Sequence, residues 1–473
     1  MTRLSPELLL FPTPWHWFVH GMGLGLNPTG FDARRAAQIR GLARAVRAHH
    51  GDGFPAFVAE LVDVILASCD PSSPRASPHE LGARLARHVS ELRDPRDHAR
   101  ACATSIESLV KLGLVAGARD RVEGLRRQLF SSLARIATLP APNERARYEH
   151  VHLIANLLLA VARAGWTDLL PPAVFEVGAQ LLGPVDDLFY FGRAAASWAT
   201  ALAVVRPGRR GDPAGELLGQ ALDRVDAQLD GPRDRPSDGA HEGRDYVAFA
   251  MLLTLGAIGI AGRTELLDDK RPWLEVAAAD LRSLHPRARS SQTLLYIALL
   301  RNLGLLERHV PDPAALVATA AAGYLATTDG HQHDDYLRCT YLLHIARQLG
   351  CLAALPPRIG QILATSSIQL GSPSPHRATP YGSPLMFVAY VLSATYAGDW
   401  EATHPLWNVD LTAVLRSANP RPDDVVCLPR IGFALIDAAL CLRTPAAASE
   451  PGADPFSRFA ANCAPVRDRE GGR

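Results

Sequence analysis

Long stretches of the chain place apolar residues at three- and four-residue spacing, with Ala, Leu and Arg dominant and no alternating β-branched runs. That spacing predicts two kinds of helix in alternation. The first kind is apolar nearly all round and covers 148–166, 186–205, 245–260, 290–306, 334–352, 384–397 and 429–442. A helix without a polar side has to be covered on every side. The second kind is amphipathic and covers 119–136, 172–182, 214–229, 273–284, 313–326, 358–367 and 411–417. These helices keep a polar side and would lie outside. Pro and Gly mark the joints, as in Gly183-Pro184, Pro311-Asp312-Pro313 and Leu355-Pro356-Pro357.

Successive apolar helices start 38 to 59 residues apart, about the length of one helical hairpin with its connections. The count is seven hairpins, and 104–115 fits an eighth inner helix. Hairpins in an open superhelix normally keep a concave or convex side in water. One fully apolar helix per hairpin is better explained by a closed ring. The predicted fold is therefore all-α, an α/α toroid or barrel of about seven helical hairpins over 96–443. The alternative is an open helical-repeat solenoid. Residues 1–95 read as an N-terminal helical extension with a Trp/Pro/Gly-rich entry, Phe11 to Gly30. The Pro-, Ala-, Gly- and charge-rich residues 444–473 read as a disordered tail.

Composition narrows the setting. With 48% apolar and 21% charged residues, the 473-residue chain is able to bury a core. The net charge of +1 provides no field that favours nucleic acid, so no nucleic-acid partner is expected. Only Lys111 and Lys270 are lysines, and Arg carries the remaining positive charge, as in a GC-rich genome. Seven cysteines lie far apart without a CxxC pair, which suits a reducing compartment. Pro12 and Pro14 interrupt the first apolar run, so it does not read as a signal peptide, and residues 251–261 are too short to span a bilayer. The expectation is a cytoplasmic protein without a membrane span, its oligomeric state unspecified.

Polar residues collect where the inner helices begin. Tyr148, His150 and His152 open one helix, Asp186 and Asp187 the next, and Arg244, Asp245 and Tyr246 a third. Tyr381 and Ser383 precede a later one. If all inner helices run in one sense, these N-termini meet at one rim, together with the positive ends of the helix dipoles. Helix capping accounts for one Asp or Ser per helix without any further role. Asp329 to Asp335, however, holds five ionisable groups within seven positions: Asp329, His331, His333, Asp334 and Asp335. In this cluster Asp334 and Asp335 would form an acid pair, with one carboxyl raising the other's pKa and His333 setting the protonation state. A solvated loop is the competing reading.

Asp187 and Asp245 would be supporting carboxylates at the same rim. His331, Tyr336 and Arg338 would bind substrate there, Arg338 equally able to pair with Asp334 one turn away. Phe189, Tyr190, Trp198, Tyr246 and Tyr381 would wall the cavity for an apolar ligand. His331 and His333 have the HxH spacing of a weak metal motif, without HExxH or CxxC, so no cofactor is expected. Gly21, Gly23 and Gly25 do not form a phosphate loop, because no strand precedes them and no GK[ST] follows.

The inner/outer alternation resembles the α/α-toroid superfamily of class II terpene cyclases, protein prenyltransferase β subunits and lanthionine cyclases. Gln332-His333-Asp334-Asp335 is similar to the DxDD acid motif of class II cyclases, with Gln332 in place of the first Asp. The resemblance implies that Asp334 occupies the proton-donor position. Asp334-Asp335-Tyr336-Leu337-Arg338-Cys339 is similar to the D-x-Y-H-x-C stretch of prenyltransferases, with Leu337 where their zinc-binding His stands. The expected function is an enzyme with a hydrophobic central cavity that cyclises an apolar, isoprenoid-type metabolite by acid catalysis. A protein-binding helical-repeat scaffold and an α/α-barrel carbohydrate-active enzyme are the alternatives; the latter would pair Asp187 with Asp334 or Asp335.

Overall fold

A computed structural model describes residues 30–74, 76–115, 122–205, 213–229, 251–259, 261–270, 305–326, 350–359 and 424–443, with isolated positions between them. Among the described residues all regular structure is helical. The principal helices are α1 (Ala33–His50), α2 (Phe54–Cys69), α3 (Pro78–Ser90), α4 (Pro95–Lys111), α5 (Glu123–Ala137) and α6 (Glu144–Arg163). They continue with α7 (Ala173–Leu182), α8 (Leu188–Val205), α9 (Pro213–Leu229), α10 (Pro313–Leu325) and α11 (Asp424–Cys441).

Local chemistry sets the helix starts. Asp32, Asn143 and Asp312 each accept a hydrogen bond from the backbone N–H three residues on, which satisfies an otherwise orphaned donor. Ser77 and Glu80 form a reciprocal capping box at α3. Asp94 caps α4 directly before Pro95, whose missing N–H costs nothing in the first turn. The same residues explain why α4 starts at Pro95, well before 104, where apolar spacing alone suggested an inner helix.

Helices α4 and α6 end on the same device. After α4 and α6 the chain turns through Gly113 and Gly165, at φ 72° and 71°, a conformation that a Cβ disfavours. Leu114 N–H then reaches back to the Leu109 carbonyl, and Trp166 N–H to that of Val161. The same six-residue closure joins Arg263 to Ile258 and Cys351 to Ala346. This recurring cap marks the repeat more sharply than hydropathy does.

Two layers result. Each even-numbered helix from α2 to α8 is buried on most sides, and α1, α3, α5, α7 and α9 cover them from outside. In α2, Leu61, Val62, Ile65 and Leu66 are almost wholly buried, so Leu61→Ala costs roughly 3 kcal/mol. Hairpin partners run antiparallel: Arg40 of α1 pairs with Asp63 of α2 at 2.7 Å. Neighbouring inner helices run parallel. Arg96 and Glu107 of α4 meet Glu149 and Arg163 of α6, at 3.7 and 2.5 Å. Between α6 and α8, His152 meets Ser197 across a separation of 45 residues, the predicted repeat length. Outer α7 lies so close to α8 that a Cβ on Gly178 would overlap the Trp198 ring.

The last described helix returns to the first. Phe433 of α11 meets Phe54 of α2 edge-on at 6.0 Å, and Gly30 N–H donates to the Arg443 carbonyl at 3.3 Å. Helix α11 therefore packs on α1 and α2, and it also touches α4.

Candidate functional site

The expected acid cluster, His331, His333, Asp334, Asp335, Tyr336 and Arg338, lies outside the described residues, as do Asp245, Tyr246 and Tyr381. Phe189 is in α8, but its side chain is likewise outside them. Of the remaining candidates, Asp187 and Tyr190 lie where α6 and α8 begin. Asp187 caps α8, its Oδ1 accepting from Tyr190 N–H at 3.1 Å. The Asp186 and Asp187 N–H groups donate to the Glu144 carboxylate, at 3.1 and 3.2 Å, so the two helix starts are tied together. Tyr190 stacks at a tilt on Tyr148, ring centres 5.9 Å apart, and burial pushes its phenol pKa up. Trp198 is buried, with its indole against Gly178 of the outer layer.

A polar column continues down the α6/α8 seam. The Arg193 guanidinium, 1% exposed, lies 4.7 Å over the Tyr148 ring. Ser197 O–H donates to the Arg193 carbonyl, which leaves His152 Nδ1–H to donate to Ser197 Oγ at 3.0 Å. Burial, reinforced by Arg193 and Arg100, holds His152 well below the ordinary imidazole range. His150, fully buried on the same helix, is lowered for the same first reason, and then by Arg96. Neither ring nitrogen of His150 has a hydrogen-bond partner among the described residues.

A second cluster joins α4 to α5. His98 Nε2–H donates to Gln128 Oε1 at 3.0 Å, and Nδ1 receives the Ser132 hydroxyl at 2.6 Å. Cys102 Sγ lies 3.3 Å from that hydroxyl. Hydroxyl, imidazole and amide in series resemble a nucleophile, its base and an orienting group. Access decides otherwise, because Ser132 and Cys102 are 0% and His98 2% exposed. Burial also pushes the Cys102 thiol up to about 12, which removes the reactive thiolate. The cluster holds two helix layers together.

Solvent does reach a third place. Helices α4, α6 and α11 leave a cleft of about 530 Å³, counting the part open to solvent. From α4 come Arg100, Thr104, Glu107, Ser108 and Lys111, with the small Ala99 and Ala103 beside them. Helix α6 adds Leu153 and Asn156, and α11 adds Phe433, Ile436, Asp437 and Leu440. Glu107 accepts from two cations, Lys111 Nζ at 2.8 Å and Arg163 Nη1 at 2.5 Å. All three side chains are largely shielded, at 15%, 19% and 10% exposure, so the charges are strongly felt. Arg100 pairs with Asp97 at 2.9 Å.

None of these cleft residues stood out in the sequence. The available signal was Lys111, one of two lysines in the chain, four residues after Glu107 on a helix. Among the described residues no three His, Cys, Asp or Glu side chains are arranged to hold a metal ion, and no helix is long and apolar enough to cross a membrane. No family model, curated protein or solved structure matches the chain.

Proposed function

We propose that the chain is an α/α toroid that binds a small metabolite in its lumen and transforms it by acid–base catalysis. The observation that carries this reading is the seat of α11 on α1 and α2. A superhelix of this many hairpins holds its first and last members apart. The parallel inner helices also gather their N-termini, with positive dipole ends, at one rim. Asp334 and Asp335 would join that rim as the acid pair, with His333 as their tuner and Asp245 in support. Asp187, which caps α8, would stand at the same rim in support.

The resemblance to class II cyclases suggests isoprenoid-type cyclisation. The cleft between α4, α6 and α11 carries charges of both signs, however, and that favours a substrate with polar groups over a bare hydrocarbon. Metabolite profiles of a strain with the wild-type protein, with Asp335→Asn and without the protein test the proposal. The expected result is a compound that depends on the wild-type protein and is lost with Asp335→Asn, at unchanged melting temperature. Identical profiles in all three strains overturn the enzyme and leave a binding scaffold.

A further inference from the structure

We infer that His150 is a proton-sensitive wedge in the seam between α4 and α6: charging it opens that seam from the helix-start end while the rest of the fold stays closed. Two ion pairs close the seam, one toward each end, and they are unequal. Toward the helix ends Arg163 meets Glu107 at 2.5 Å, with side chains only 10% and 15% exposed. At the helix starts Arg96 meets Glu149 at 3.7 Å, with side chains 36% and 29% exposed. Water screens this second pair, so it holds the seam weakly. Glu149 is shared besides, since Arg145 reaches it at 3.1 Å from the same helix.

His150 belongs to the weaker end. It is fully buried, and neither of its ring nitrogens has a hydrogen-bond partner among the described residues, whereas His152 keeps Ser197. The charges that act on it are Arg96 of α4 and then Glu149 of its own helix. Those of the other elements packed on α6 are directed elsewhere. Arg135 of α5 acts on His98, Arg193 of α8 lies over Tyr148 and acts on His152, Glu176 of α7 is exposed, and Asp168 follows the far end of α6. A proton on His150 would therefore set a second buried cation beside Arg96, and the one carboxylate at hand, Glu149, already serves Arg96 and Arg145. The response that disturbs least is local. Arg96 and Glu149 part, water reaches the imidazole, and Glu107–Arg163 stays closed as the hinge. A group that is neutral when sealed and charged when wet takes up a proton on opening, so the open seam gains as pH falls through the ordinary imidazole range.

Hydrogen exchange on the full-length protein, read segment by segment and taken against the intrinsic rate at each pH, tests this. Between about pH 7 and about pH 5, residues 97–103 and 146–153 should lose protection about tenfold or more, while 61–66 in α2 keep theirs. His150→Phe should abolish the loss, and His150→Gln, also neutral, should do the same if the Phe variant does not fold. Equal loss in α2 overturns the inference, because the opening is then global. So does unchanged protection of the wild-type seam, or a loss that persists in a folded His150 variant.

Discussion

Helix α4 carries two polar clusters whose surroundings differ completely. Toward α5, His98 and Cys102 share hydrogen bonds with Ser132 and Gln128 in a place no solvent reaches. Toward α6 and α11, Glu107 and Lys111 form their ion pair on the wall of a cleft. The first cluster has the residue types of a catalytic site and lacks access. The second has unremarkable residue types and has access. Chemistry at a site needs both, and burial sorts the two more firmly than residue identity does.

Breaking the sealed cluster should have the largest effect. Ser132→Val removes the group that satisfies His98 Nδ1 and contacts Cys102, and leaves buried polar atoms alone. A loss of about 3 kcal/mol in urea unfolding is expected. On the cleft side, Glu107→Gln leaves Arg163 and Lys111 shielded and facing each other without their carboxylate. It should cost about 2 kcal/mol, less than a fully buried pair because water reaches one side.

Acid sharpens the comparison further. His98, His150 and His152 are all lowered by burial, so the folded protein binds fewer protons than the unfolded chain just below the ordinary imidazole range. Stability from these residues is present above the unfolded value of about 6.5 and is lost as pH falls toward the depressed folded values. Thermal melts between about pH 7 and pH 5 should show this decline. His98→Gln should flatten it; an unchanged slope would mean that His98 is protonated in the fold.

Asp187→Ala tests the capping role of this candidate. It should cost about 1 kcal/mol, and Asp187→Asn should restore most of that.

Much of the helical layout was legible along the chain. The expected helices at 172–182 and 214–229 match α7 and α9 to within one residue, because local spacing and turn residues decide them. Helix α6 was expected at 148–166 and runs over Glu144–Arg163, since Asn143 caps it earlier and Gly165 ends it. Helix α11 starts at Asp424 and carries Pro429 inside, where the proline had suggested a beginning. The rim of polar helix starts was legible at α6 and α8, where Glu144 and Asp187 meet. The cleft was not, since its walls come from both ends of the chain and each of its residues is ordinary in its own helix.

The sequence by itself determined that the described helices are of two sorts, where they begin and end, and that the repeat runs near 45 residues. Those properties depend on apolar spacing, caps and turns that act within a few positions. Tertiary structure alone decided which polar groups meet water. His98 and Lys111 lie on one helix with nothing in their flanks to separate them. The packing of α5 seals the first, and the return of α11 to the start of the chain places the second in a cleft.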